Sequence, residues 1–184
     1  MRNNARNKQV NHLVTCAALI ALNVILTRFT SIQTPFVRID FGFVAMAVAG
    51  MLMGPFYGMA VGGISDFLGA NLFPTAQFHP GFTLTATLVG LSYGLLIHRR
   101  ESEPEWSRAK FMFRSALAVG FNCFVLSLCL NTLWLTQMYD KAYLVLLPTR
   151  VVKEVVMFAV QFGMVNLIRM ALVEPMLRRL PHNG

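Results

Sequence analysis

Phe41 to Ile64 is a run of 24 residues without a charged side chain, and a glycine–proline pair, Gly54–Pro55, stands near its middle. A stretch that long and that apolar is long enough to enter the ~30 Å hydrocarbon core of a bilayer. Gly-Pro is a strong turn signal, so the run divides into two segments. The segment before the break is only about 13 residues, too short to cross unaided at 1.5 Å per residue. Short, glycine-interrupted segments survive at membrane depth only where protein or a watery cavity covers them. In transporters they point to the substrate site.

Composition agrees. Of 184 residues 55% are hydrophobic and 13% charged, against about 25% charged in a soluble domain. The chain reads as an all-α integral membrane protein of one domain, residues 1–184. The head "MRNNARNKQVNH" is followed by an apolar run with no small-residue cleavage site, so that run reads as a first span rather than a signal peptide. Cys16, Cys123 and Cys129 all sit in apolar stretches. An odd count there argues against disulfides and against a metal site. The formal charge of +8 comes from cations beside the spans. It reads as topology signals and contact with lipid headgroups, not as a nucleic-acid surface.

Splitting at Gly54–Pro55 gives six spans, at about 12–29, 41–53, 56–72, 81–98, 113–134 and 149–173. With the N-terminus inside, the inner side holds Arg2, Arg6, Lys8, Arg99, Arg100, Arg108, Lys110, Arg114, Arg169, Arg178 and Arg179. The outer side holds Arg28, Arg38, Lys141, Arg150 and Lys153, a split of 11 to 5. Five spans would reverse the bias, to 6 inside and 10 outside. Inner loops favour Lys and Arg, so six spans with both termini cytoplasmic is the better topology.

The costly residues then gather in the outer half. Asp66 lies about two turns before the outer end of the third span, where a lone carboxylate costs roughly 2.5–3.5 kcal/mol. It should face the bundle interior and have a partner. Above it, "LFPTAQFHPG" carries Phe73, Gln77, Phe78 and His79 on a proline-bounded loop. In "LNTLWLTQMYDKAYLVLLPTRVVKE", Asn131 and Trp134 share one helix face. Tyr139, Asp140 and Lys141 occupy the outer loop. Pro148 reads as the start of the sixth span, with Arg150, Lys153 and Glu154 in its first turns. Two cations there oppose the helix dipole, which an anionic ligand would relieve. Arg150 and Glu154, four apart, also have the spacing of an intrahelical ion pair. Arg28 and Arg38 fit headgroup contacts and ligand contacts equally. Together these groups suit a ligand with a flat polar ring that stacks and donates hydrogen bonds, and an anionic tail. The first outer loop, "SIQTPFVRID", lacks apolar periodicity and is the expected lid.

Several chemistries are excluded. No G-x-x-x-x-G-K-[ST] occurs, so the chain has no P-loop of its own. No HExxH, metal-spaced cysteine pair or paired-carboxylate motif is present. "GGISDF" lacks the G-x-S-x-G of a nucleophile elbow, and no catalytic residue, metal ligand or cofactor is expected. In the first span Ala17 and Ala21 have the small-xxx-small spacing that lets another helix approach.

The alanine pair, "DFLGANLFPTAQFHPGFTLTATLVGLSYGL" and "NTLWLTQMYDKAYLVLLPTRVVKEVVM" together resemble the substrate-binding S component of energy-coupling factor (ECF) transporters, of the folate type. The likeness runs from the first span to about Leu167. It implies a multi-pass subunit of a prokaryotic plasma membrane that captures folate at the outer face. It also implies partners: a transmembrane coupling subunit and two ATP-binding cassette ATPases, with the subunit toppling in the bilayer to release the vitamin inside. Ala17 and Ala21 would be the coupling-subunit contact. The substrate site would comprise Asp66, Phe78, His79, Asn131, Trp134, Tyr139, Lys141, Arg150 and Lys153, with Asp66 and Asn131 taking the pterin and the cations the glutamate. Asp140 stands where a small residue, often glycine, is expected. Other vitamins on the same scaffold, such as pantothenate or less readily thiamine, remain alternatives. So do a small intramembrane enzyme and a scaffold or channel.

Overall fold

In the computed structural model, residues 2–33, 38–74, 77–99, 103, 106–139 and 143–173 are described. They form seven α-helices: α1 (Arg2–Arg28), α2 (Phe43–Met53), α3 (Pro55–Leu72), α4 (Pro80–Ile97), α5 (Arg108–Gly120), α6 (Asn131–Tyr139) and α7 (Tyr143–Ile168). Between α5 and α6 the chain winds as a π-helix, Phe121–Leu130, so that Arg108–Tyr139 is one 32-residue rod. Four of these stretches are long and apolar enough to cross a membrane: Gln9–Arg28, Pro80–Ile97, Arg108–Tyr139 and Leu147–Ala171. The fold is not purely helical. Two strands of two residues each, β1 (Ile32–Gln33) and β2 (Arg38–Ile39), pair antiparallel between α1 and α2, with Ile32 opposite Ile39. An edge pair this short satisfies a few backbone groups without needing the alternating pattern that marks a longer strand.

The apolar run does break at Gly54. Its φ of +94° is costly for any residue with a Cβ, and Pro55 follows at the first position of α3, where its missing N–H is not needed. The 11-residue α2 is covered by protein, with Ala45, Ala47 and Ala49 fully buried. Tight packing of α3 on α4 depends on Gly58 and Gly90. A Cβ on either would come within 2.3 Å of the other's carbonyl oxygen or closer. Dispersion between closely approaching backbones holds such an interface together, since lipid supplies no hydrophobic drive between helices.

The helices form two halves. In one, α1, α2, α3 and α4 pack on one another; in the other, α7 lies along the rod, with α4 touching the rod and α2 touching α7 to join them. At one end the halves are tied by cations. Arg114 donates to the carbonyl oxygens of Leu96 (2.6 Å) and Leu95 (3.4 Å) at the end of α4, and its guanidinium lies 4.3 Å over Trp106. Arg169 donates to Trp106 O at 3.0 Å and stacks 4.2 Å from Phe111. A cation at a helix C-terminus complements the dipole there. At the other end the halves separate around a cavity.

Candidate functional site

The cavity has a volume of about 580 Å³, within the 300–1,000 Å³ of small-molecule sites. Its walls are the inner faces of the two halves. Asn23, Thr27 and Arg28 of α1 line it with Ser65 and Asp66 of α3; opposite stand Asn122, Ser127 and Asn131 of the rod with Arg150, Lys153 and Gln161 of α7. Gln77, Phe78, His79 and Tyr139 line it from the loop before α4 and the end of α6.

Asp66 faces inward and has partners. One carboxylate oxygen accepts from Thr83 Oγ1 at 2.8 Å, and the other lies 3.5 Å from Arg28. Arg28 owes its place to Gly69: a Cβ there would meet the guanidinium at 2.6 Å, so the glycine lets the arginine lie across α3. One turn closer to the centre, Asn23 donates to Ser65 Oγ at 2.6 Å, a second link between α1 and α3.

The opposite wall is built around α7, and here one sequence expectation is corrected. The helix begins at Tyr143, so Pro148 lies inside it and Arg150 and Lys153 sit in its second and third turns rather than its first. Proline at that depth removes one N–H that would have bonded Leu144, a loss the surrounding turns absorb. Arg150 and Glu154, whose spacing also fits an intrahelical ion pair, bond other groups. Glu154 bonds Lys153 Nζ at 2.7 Å and Ser127 Oγ at 2.5 Å, while Arg150 donates to Ser127 O at 3.2 Å. Glu154 is 1% exposed and lies behind Ser127, outside the cavity lining. The wall therefore shows two cations to the cavity and hides the acid.

Several buried polar atoms on these walls have no hydrogen-bond partner among the described residues: Asn23 Oδ1, Asn122 Nδ2, Asn131 Oδ1 and Arg150 Nε. Such atoms cost roughly 1–3 kcal/mol each. Their concentration in one cavity marks the place where a polar ligand is accommodated.

Of the residues singled out from sequence, Asp66, Phe78, His79, Asn131, Tyr139, Arg150 and Lys153 converge on this cavity. Trp134 does not line it. Its indole N–H donates to Thr85 Oγ1 at 3.1 Å and its ring packs where a Cβ on Gly81 would come within 2.4 Å. It braces the start of α4 from behind. His79 has a structural task as well, accepting from Gly81 N at 3.1 Å to cap α4. Lys141 and Asp140 lie outside the described residues. Ala17 and Ala21 are exposed on the outer face of α1, among Leu13, Val14, Leu22 and Ile25.

Sequence reasoning passed over Asn23, Thr27, Ser65, Asn122, Ser127 and Gln161. Some were legible: Asn23 and Thr27 are four apart in the first apolar run, and Arg150, Lys153, Met157 and Gln161 follow helical spacing along one face. Asn122 and Ser127 were not. Five residues apart, they fall on different faces of an α-helix and come together only because the rod widens to i→i+5 bonding there.

The family model described as "ECF-type riboflavin transporter, S component" matches residues 7–170. A folate transporter FolT of Clostridium novyi is 40% identical over 153 residues, covering 83% of this chain and 84% of that protein. A FolT of Leuconostoc mesenteroides is 32% identical over 155 residues, covering 82% and 80%. Among solved structures, FolT bound with folic acid superposes with a TM-score of 0.73 at 31% identity, over 84% of this chain and 88% of that one. The S component of a bacterial ECF transporter superposes with a TM-score of 0.66 over 94% and 98%, and at 20% identity that likeness concerns the fold alone.

Proposed function

The chain belongs to the S components of ECF-type transporters, and from that membership we propose that it is the folate-binding subunit of a vitamin importer. The observation that carries this reading is the asymmetry of the cavity, whose acids, Asp40 and Asp66, lie on the side of α1–α3 with Arg28, while α7 presents the two cations Arg150 and Lys153 and no lining acid. A pterin ring donates hydrogen bonds to Asp66 with help from Asn131, and lies among Phe78, His79 and Tyr139. The glutamate of folate, with two carboxylates, goes to Arg150 and Lys153, where burial strengthens charge-assisted bonds. Lys141, outside the described residues, is a further candidate for the glutamate. The names of the two FolT relatives agree with this ligand, whereas the family model is named for riboflavin. We take the ligand from the relatives, because they are 40% and 32% identical over 83% and 82% of this chain.

In this reading residues 1–184 form one six-span domain with both termini cytoplasmic, a topology supported by the 11 to 5 division of Lys and Arg. The subunit resides in a prokaryotic plasma membrane with its cavity outward. ATP-driven reorientation calls for partners, since the sequence contains no P-loop motif: a transmembrane coupling subunit, docking on the exposed Ala17–Ala21 face of α1, and two ATP-binding cassette ATPases.

Titration of the purified chain with radiolabelled folate, with riboflavin and pantothenate as competitors, tests the ligand. Displacement by folate alone supports the reading; equal displacement by either competitor overturns it. In the reconstituted transporter, Ala17→Trp should abolish uptake while folate binding to the isolated subunit stays within threefold of wild type.

A further inference from the structure

Among the described residues three carboxylates belong to the cavity region, and the structure separates their tasks. Glu154 is committed to Lys153 and Ser127 and does not line the cavity. Asp40 lines it but accepts the Gly42 backbone N–H at 3.0 Å, turning the chain into α2. Asp66 lines it from mid-wall, with a side chain 23% exposed, and its two protein partners sit one on each oxygen. An ionised carboxylate has about four acceptor sites. Thr83 takes one on Oδ2 and Arg28 approaches one on Oδ1, which leaves one site on each oxygen. Two parallel acceptors are the complement of two adjacent N–H donors.

We propose that Asp66, oriented by Thr83 and Arg28, is the residue by which this site selects its ring: it admits a 2-amino-4-oxopyrimidine edge and excludes a 2,4-dioxopyrimidine edge. The inference rests on the folate reading and deepens it. A 2-amino-4-oxo ring, the pterin type, presents its 2-amino N–H and its ring N3–H side by side, and a carboxylate accepts both. A 2,4-dioxo ring, the type found in riboflavin, presents N3–H between two carbonyl oxygens. Set against the same carboxylate, it forms one hydrogen bond and forces a carbonyl oxygen onto a carboxylate oxygen. Rejection then comes from repulsion as well as from the missing bond. A buried site that hydrogen-bonds a group discriminates strongly against analogues lacking it, because its own polar atoms lose their partners. Arg28 contributes by approaching one carboxylate oxygen from α1, opposite the oxygen that Thr83 holds. Thr83 fixes the carboxylate's rotation. Both are positioning residues, and neither needs to touch the ring. One scaffold can thus serve folate in some members and riboflavin in others with the ring choice set at a single side chain.

The test uses the full-length chain in detergent and two ligands that differ only at the ring, folate and its 2-deamino-2-oxo analogue. Wild type should bind folate at least 10²-fold more tightly than the analogue. Asp66→Asn presents one donor and one acceptor in place of two acceptors, and should shrink that ratio at least tenfold, mainly by weakening folate. Thr83→Val should shrink it about threefold to tenfold, with Thr83→Ser restoring it. Arg150→Gln, on the tail wall, should weaken both ligands by one factor and leave the ratio unchanged. The ligand pair on wild type reads the selection without any substitution, so a poorly folding variant does not decide the matter. Wild type that binds both rings within threefold overturns this inference while leaving the folate reading intact, as does Asp66→Asn weakening both rings equally. Wild type that binds no folate overturns the reading itself, and the inference with it.

Discussion

The two polar walls of the cavity each hold an acid and a cation inside an apolar bundle, and they are built differently. On one, Arg28 of α1 reaches Asp66 of α3 across 3.5 Å, and the carboxylate stays 23% exposed to the cavity. On the other, Lys153 and Glu154 are neighbours on α7, 2.7 Å apart, with the carboxylate 1% exposed. A long contact between helices leaves an acid with spare acceptor capacity. A short one, supplemented by Ser127, holds Glu154 through Oε1 behind the wall, with Oε2 buried and without a hydrogen-bond partner among the described residues. The first wall consequently offers a carboxylate to a ligand, and the second offers Arg150 and Lys153. The difference also predicts how each wall responds to damage. Removing Lys153 strands a carboxylate that is 1% exposed, whereas Asp66, at 23%, keeps access to the cavity when Arg28 is lost.

The largest effect should follow Lys153→Gln. With Glu154 left buried and unpaired, folding should weaken by about 3–5 kcal/mol, seen as a sharp fall in the thermal midpoint of the purified protein. Adding Glu154→Gln should recover most of it. A single variant as stable as wild type would break the contrast. Next comes Arg150→Ala, expected to cost folate about 10²-fold or more in affinity, while pteroate, which lacks the glutamate, changes less than threefold. Equal losses for the two ligands would move the tail to the other wall. Arg28→Gln should lower stability by less than Lys153→Gln, because Asp66 keeps Thr83 and its opening to the cavity; a loss as large as that of Lys153→Gln would show the two walls to be energetically alike. Smallest is Trp134→Phe. It removes the hydrogen bond to Thr85, a bond worth about 0.6 kcal/mol between membrane helices, and folate affinity should stay within threefold because the indole braces the wall from behind. A loss above tenfold would put the ring in contact with ligand.

Legibility from sequence followed the same division. Asp66 was conspicuous because a charge stands out after 24 uncharged residues. Its partner was ambiguous, because Arg28 lies 38 positions away and nothing local marks Gly69 as the gap it crosses. On α7 the stripe Arg150, Lys153 and Gln161 could be read by spacing, yet the choice of Lys153 over Arg150 as the partner of Glu154 could not. That choice depends on Ser127, which claims Arg150 through its carbonyl and Glu154 through its hydroxyl.

By itself the sequence determined the class, the break at Gly54–Pro55 and the end of the bundle where polar groups gather. Lipid permits few backbone solutions and charges every polar residue a desolvation cost, so composition and periodicity are read almost directly. Only the tertiary structure decided which acid faces the ligand, which is held away from it, and which aromatic residue stands behind the wall rather than in it. Those outcomes turn on ångström-scale approach between helices distant in sequence, at Gly58 and Gly90, at Gly69, at Gly81, and on the π-helical widening that turns Asn122 and Ser127 to one face. No local pattern encodes an approach of that kind, because it belongs to two segments at once.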